Sequence, residues 1–225
     1  MTIKSLLRRV LPARPLHTLN SLDAYDLWAA NYPPQAHNVL METEQKAMLD
    51  LLPPLAGQIV LDLACGTGRY GLIAHERRAK QVIAIDNSPA MLAGNPLSNR
   101  VQATTEVVPL ASGSIDVILC GLALGHLPKL QPSLDEIARL LKPGGVALVS
   151  DVHPFIALNG AQRTFAAPDG KVYAVEHYPH LYEDNQRAAA GAGLTIDAVL
   201  EPLLNRVPVV IVYRFYKPSS LQTGA

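Results

Sequence analysis

Cysteine is nearly absent: Cys65 and Cys120 are the only two in 225 residues, and each ends an apolar run. Two cysteines so placed make neither a disulfide framework nor a zinc-ligand pattern. Both read as reduced, buried small residues, and no metal site is expected. An excess of one charge is also absent, since Lys+Arg and Asp+Glu both number 19. That balance argues against strong attraction to nucleic acid or anionic lipid. No apolar run is long enough to span a bilayer, so no stable membrane insertion is expected, and no repeat or low-complexity tract appears. Residues 1–21 carry Lys4, Arg8, Arg9 and Arg14 without an acid. They lack the apolar core of a secretory signal, so they read as a mobile N-terminal arm on a cytoplasmic protein.

What is present is a chain with 49% apolar and 17% charged residues, read as one folded domain over residues 22–225. "QIVLDLA" (58–64), "QVIAID" (81–86), "RVQAT" (100–104), "SIDVILCGLAL" (114–124) and "GVALVSDV" (145–152) read as strands. Between them lie helical stretches at 68–78, behind the Ser88-Pro89 cap, and at 132–141. Ser133 and Glu136 have capping-box spacing in the last of these, and Lys142-Pro143-Gly144-Gly145 stops it. Strand–helix alternation with near-continuous Val/Ile/Leu runs predicts a parallel sheet covered on both faces. A helix from Tyr182 ends at Gly193. "LTIDAVLEP" and "VPVVIVYRFYKP" follow closely, which predicts an antiparallel pair at one end of the sheet. Two helical stretches precede the first strand, one carrying Tyr25, Trp28 and Tyr32 and one over about 39–52. Residues 154–181 show no clear period.

Gly66-Thr67-Gly68-Arg69-Tyr70-Gly71 is a literal G-x-G-x-x-G between a strand and a helix. Gly66 and Gly68 allow a sharp turn and close approach to a ligand, and the helix N-terminus offers free N–H groups. A pyrophosphate or a carboxylate would suit this turn equally. Asp62 lies inside the strand before it, where a carboxylate repels pyrophosphate and attracts a cation. A structural acid satisfied by backbone N–H groups is the alternative. Asp86 ends the second strand, 18 residues beyond Gly68, where an acid can accept both ribose hydroxyls. Capping of the following helix is its other reading.

"VLDLACGTGRY", "VIAIDNSPAML", "VVPLASGSIDVILCGLALGHL" and "EIARLLKPGGVALVSD" together resemble the class I S-adenosylmethionine-dependent methyltransferases. The similarity is to the small-molecule branch near the ubiquinone/menaquinone and malonyl-carrier-protein enzymes. It covers about residues 22–152. It implies an α/β, Rossmann-like seven-stranded sheet of order 3-2-1-4-5-7-6, with strand 7 antiparallel and helices on both faces. It also implies S-adenosyl-L-methionine as cofactor and a small-molecule acceptor. Ala64, Gly66 and Gly68 would hold the methionine part, Asp62 would lie near its ammonium, and Asp86 would grip the ribose. Asn87 and Met91 would flank the adenine, and Thr105 and Glu106 would reach its edge. Leu122 would lie near the methyl path, and the 22–52 helices, with Tyr32, would close as a lid. An acid common in the family is replaced here by Thr104.

His126 and His153 follow strand ends, where open α/β sheets act. Either could be a general base or a substrate contact. The 154–181 insertion is the expected substrate wall, with Phe155, Arg163 and His177, helped by Tyr25. Two other functions compete with methyl transfer. A non-catalytic adenosylmethionine-binding module is one. An NAD(P)-dependent oxidoreductase is the other, but its Tyr-x-x-x-Lys (Tyr213, Lys217) falls on a strand, where alternation separates the pair.

Overall fold

The computed structural model describes residues 16–219. Most of the expected N-terminal arm, residues 1–15, lies outside the described residues. The rest of that arm is ordered into structure: β1 (Thr18–Leu19) pairs in parallel with Ala174 and Val175. Asn20 then caps α1 (Ser21–Trp28), its side chain accepting from the Asp23 N–H. Asn38 does the same for α2 (Val39–Leu51), accepting from Met41 N–H at 2.9 Å.

The alternating body follows as β2 (Ile59–Leu63), α3 (Arg69–Glu76), β3 (Gln81–Asp86), α4 (Pro89–Gly94), β4 (Arg100–Gln102) and β5 (Ile115–Gly121). It continues with α5 (Gln131–Leu140), β6 (Leu141–Val152) and α6 (Pro154–Leu158). The last part is β7 (Arg163–Ala166), β8 (Val172–Val175), α7 (Tyr182–Gly191), β9 (Thr195–Leu200), β10 (Leu203–Leu204), β11 (Val207–Pro208) and β12 (Val210–Tyr216).

Seven strands form the central sheet in the order β4-β3-β2-β5-β6-β12-β9. Renumbered within that sheet, this is 3-2-1-4-5-7-6, with β12 antiparallel to both neighbours. Side-chain alternation explains why helices cover both faces. Leu61, Leu63, Ile83, Ile85, Ile118 and Cys120 join Ile137 of α5 and Ala188 of α7 in one core. Val60, Val117, Leu119, Leu148 and Val212 meet Met48 of α2 and Ala74 of α3 in another. Asp62 occupies a strand position on the Val60 side, so a carboxylate sits where the pattern would otherwise place an apolar core residue.

Three local expectations change. Ser133 and Glu136 form no capping box, because α5 begins earlier, with Pro132 in its first turn. Ser133 instead bonds Thr105 (Oγ–Oγ1 2.8 Å), and Glu136 accepts from the Val108 N–H at 2.6 Å. Lys142 to Gly145 do not form a loop after α5; β6 begins directly at Leu141. Residues 154–181 hold more order than their composition suggests. α6 is followed by the β7–β8 hairpin, which adds β1 as a third strand.

Candidate active site

The carboxyl ends of β2, β3 and β5 open onto a cleft of about 180 Å³. Its floor is the turn after β2. Gly66 (φ +52°) and Gly68 (φ +97°) both adopt left-handed backbone there. A Cβ on Gly68 would fall 2.7 Å from the Asn95 amide oxygen, so that position admits only glycine. Ala64 (φ +55°) and Leu122 (φ +57°) are left-handed too, one at each strand end facing the cleft. Such strain in residues with a Cβ collects at ligand sites, where the surrounding fold holds it in place.

Asp86 organises this turn through backbone donors, and the cap of the following helix is Ser88 rather than Asp86. One carboxylate oxygen accepts from Gly66 N–H at 2.7 Å and the other from Ser88 N–H at 2.9 Å. Ser88 in turn caps α4 by accepting from Met91 N–H. A carboxylate has lone pairs for about four donors, so Asp86 keeps capacity toward the cleft that it lines. Asp62 is 2% exposed and accepts from Gly71 N–H at 2.7 Å through one oxygen. Its other oxygen has no hydrogen bond among the described residues. Burial pushes the Asp62 carboxyl up to about 7, against the opposing pull of the Gly71 N–H and Arg69. Burial raises Asp86 as well. Gly71 is therefore more than the end of a motif. It donates to Asp62, and a Cβ there would strike Leu97 at 2.4 Å.

Sequence reasoning missed Arg69 and Thr67, both of which line the cleft. Arg69 opens α3, and its Nη1 meets Glu44 Oε2 at 2.7 Å with both side chains buried. Glu44 also accepts from Tyr70 Oη at 2.7 Å and from Ser150. This network ties α2 to the glycine turn. The Thr67 hydroxyl is buried with no partner among the described residues.

A second cavity of about 300 Å³ adjoins the cleft, and Tyr25, Tyr32 and Leu122 line both. Its walls come from α1, α2, the end of β6, α6, β7 and β8, with Trp28, Met41, Ile156, Arg163 and His177 among them. A chain of hydrogen bonds crosses the junction. Arg163 Nη2 donates to Tyr25 Oη at 3.0 Å, and Tyr25 Oη meets His126 Nε2 at 3.1 Å. His126 Nδ1 lies 2.7 Å from the Glu176 carbonyl. A carbonyl only accepts, so Nδ1 carries the ring proton and Nε2 accepts the hydrogen bond that the Tyr25 hydroxyl donates. Burial pushes His126 down to about 3, with Arg163 adding to the shift. Burial raises the Tyr25 and Tyr32 phenols.

The structure brings Asp62, Ala64, Gly66, Asp86, Asn87, Met91, Thr105, Glu106, Leu122 and Tyr32 to the cleft. Gly68 is set behind the lining, where it caps α3. The Thr105 hydroxyl turns to Ser133, and Thr104 also lines the cleft. Tyr25, Arg163 and His177 line the second cavity. Two expected residues are displaced. His153 caps α6 through Phe155 N–H and meets Glu201 at 3.1 Å, so its ring turns away from both cavities. Phe155 is 48% exposed and lines neither, while its neighbour Ile156 faces inward. Among the described residues, no cluster of three His, Cys, Asp or Glu could hold a metal, and both cysteines are buried. The Tyr-x-x-x-Lys pair is structural. Tyr213 is in the core, and Lys217 donates to the Ala138 and Leu141 carbonyls at the end of α5.

Residues 61–149 match the family described as a methyltransferase domain. The chain is 31% identical over 175 residues to a ubiquinone biosynthesis O-methyltransferase of Xylella fastidiosa, covering 68% of this chain and 69% of that protein. It is 36% identical over 117 residues to a malonyl-[acyl-carrier protein] O-methyltransferase of Enterobacter lignolyticus, covering 50% and 46%. The chain spans about half the length of several curated relatives that it matches. Among solved structures, an S-adenosylmethionine dependent methyltransferase from Mesorhizobium loti superposes with a TM-score of 0.66 at 20% identity. That alignment covers 77% of this chain and 97% of the other, and it supports the fold.

Proposed function

The chain belongs to the class I S-adenosylmethionine-dependent methyltransferases, and on that premise we propose that it methylates a small-molecule acceptor by in-line displacement. One observation carries the reading: the cleft and the second cavity meet at Tyr25, Tyr32 and Leu122. A donor in one and an acceptor in the other would face each other there.

The cleft's own chemistry fits an adenosylmethionine. Asp62 offers an unbonded carboxylate oxygen to an ammonium, and Arg69 offers a cation to the α-carboxylate. Asp86 keeps acceptor capacity for the ribose hydroxyls, and the unpartnered Thr67 hydroxyl needs a ligand atom. Asn87 and Met91 flank the adenine, with Thr105 and Glu106 at its edge. The bound sulfonium supplies an already activated methyl group. The protein's part is to align, to exclude water and to manage one proton. The 22–52 helices serve as the lid, with Tyr25 and Tyr32 between the two cavities. His126 is a positioning residue: its neutral Nε2 accepts from Tyr25 and holds the phenol at the junction.

Both relatives named above are O-methyltransferases, so an oxygen acceptor is the favoured class. Balanced charge favours a small molecule over a nucleic acid. No helix among the described residues is long and apolar enough to cross a membrane. Calorimetry with S-adenosylmethionine and S-adenosylhomocysteine tests the reading. Micromolar binding of both is expected, on the order of 8 kcal/mol. Absence of binding to either would remove it.

A further inference from the structure

The two histidines that sequence singles out as bases are both occupied elsewhere. His126 already accepts from Tyr25, and His153 caps α6. A third histidine is differently placed. His177 lines the second cavity, its side chain 8% exposed, and its Nε2 lies 3.4 Å from Asp151 Oδ1. Asp151 belongs to β6, next to the last residue of that strand. Its side chain also accepts from the Val152 N–H at 2.7 Å and lies 3.9 Å from Arg163 Nη1.

A carboxylate accepts, so the His177 ring proton sits on Nε2 and the Nδ1 lone pair is free. Nδ1 has no hydrogen bond among the described residues. Burial alone would raise Asp151, but the bond from His177 and the charge of Arg163 outweigh it and hold the carboxyl below its usual range. Asp151 is thus an anion able to stabilise a protonated ring. The fold also clears space for this pair. A Cβ at Gly125 would fall 2.4 Å from Asp151 Oδ2 and 2.5 Å from His177 Nε2.

Taking the methyl-transfer reading as its basis, we propose that His177, oriented by Asp151, is the general base, and that the acceptor is a hydroxyl of phenol-like acidity. The hydroxyl proton passes to His177 Nδ1. The oxygen lone pair forms the O–CH3 bond as the S–CH3 bond breaks, and the breaking pair stays on sulfur. Asp151 then faces an imidazolium. A phenolic hydroxyl lies closer in acidity to imidazole than an aliphatic alcohol does, so its proton transfer is less uphill. The surrounding wall of Trp28, Tyr32, Met41 and Ile156 suits an aromatic ring. Groups facing His177 that can titrate or carry charge are Asp151, Arg163, His126 and Tyr25, with Glu176 preceding it in the chain.

The test uses the full chain, 15N-labelled at histidine and saturated with S-adenosylhomocysteine. Ring-nitrogen NMR should find the His177 proton on Nε2 at neutral pH. Asp151→Asn keeps an oxygen for the Val152 N–H, and His177 should then protonate at least about one pH unit lower. With catechol as probe acceptor, His177→Gln should slow methylation by about a hundredfold or more, and homocysteine-form affinity should stay within about threefold. A ring proton on Nδ1, or an Asp151→Asn titration matching wild type, overturns the dyad; the wild-type tautomer needs no variant. An unchanged rate in His177→Gln overturns the base. Failure of wild type to methylate catechol while the NMR signature holds overturns the acceptor class. Loss of the methyltransferase reading shows separately, as no adenosylhomocysteine binding at all.

Discussion

The cleft and the second cavity share three lining residues, yet they are built by different rules. The cleft sits on the ends of adjacent parallel strands, and its polar groups are backbone-anchored: Asp62 to Gly71, Asp86 to Gly66 and Ser88. The second cavity is gathered from segments as distant as Tyr25 and His177, and its polar groups lean on one another through Arg163, Tyr25, Asp151 and His177. Strand-end anchoring preorganises a site for one invariant ligand. Side-chain anchoring on inserted elements lets the acceptor site vary while the donor site stays put.

Breaking the joint between the two should have the largest effect. Glu44 is fully buried and links α2, a wall of the second cavity, to Arg69 and Tyr70 of the cleft. Glu44→Ala leaves the Arg69 charge unpaired, and we expect a loss of about 3–5 kcal/mol in urea unfolding. A loss below about 1 kcal/mol would mean the two regions are held together by other contacts.

Next comes a cleft-only change. Asp86→Ala removes the proposed ribose acceptor and two backbone anchors, and should weaken adenosylmethionine binding by roughly a hundredfold or more in calorimetry. Wild-type affinity in that variant would sink the assignment of Asp86.

Asp62 gives the cleft a pH dependence of its own. Its folded pKa, raised to about 7, lies above the unfolded value. The folded state therefore holds more protons, and its stability falls as pH rises from the unfolded value toward 7. A cationic ligand favours the carboxylate, so binding below pH 7 releases a proton. Affinity should then fall toward about tenfold per pH unit on acidification. Calorimetry in buffers of different ionisation enthalpy reads that proton. Asp62→Asn should flatten the dependence, and an unchanged slope would assign it to another group.

The smallest effect is expected outside both regions. His153→Ala should change adenosylmethionine affinity and methyl transfer by less than about twofold, because its ring meets Glu201 rather than either cavity. A large loss of rate with intact binding would return His153 to the chemistry.

Legibility followed the same division. Positions at strand ends follow from alternation, the glycine turn and chain order, so Asp62, Gly66 and Asp86 are legible from the residues, while Ala64 and Leu122 are implied by the family resemblance. The same rule reaches Asp151, an acid near the end of "GVALVSDV", though it draws attention only once His177 is seen beside it. Arg69 carried a weaker signal as the first helical residue after the glycine turn. His153 failed because a strand-end position says nothing about the side chain once the next residues turn into α6. Phe155 failed by one residue: on a short helix its neighbour Ile156 takes the inward face.

The parallel sheet, its antiparallel end pair and the glycine turn are legible in local patterns that allow few arrangements, and the resemblance carried by the ordered motifs supplied the strand order. Tertiary structure alone decided which histidine meets an aspartate, since that contact joins residues 151 and 177 across the space left by Gly125. Residues 154–181 have no periodicity to read. Their order comes from pairing β7 with β8 and β8 with β1, a long-range contact that no local pattern encodes.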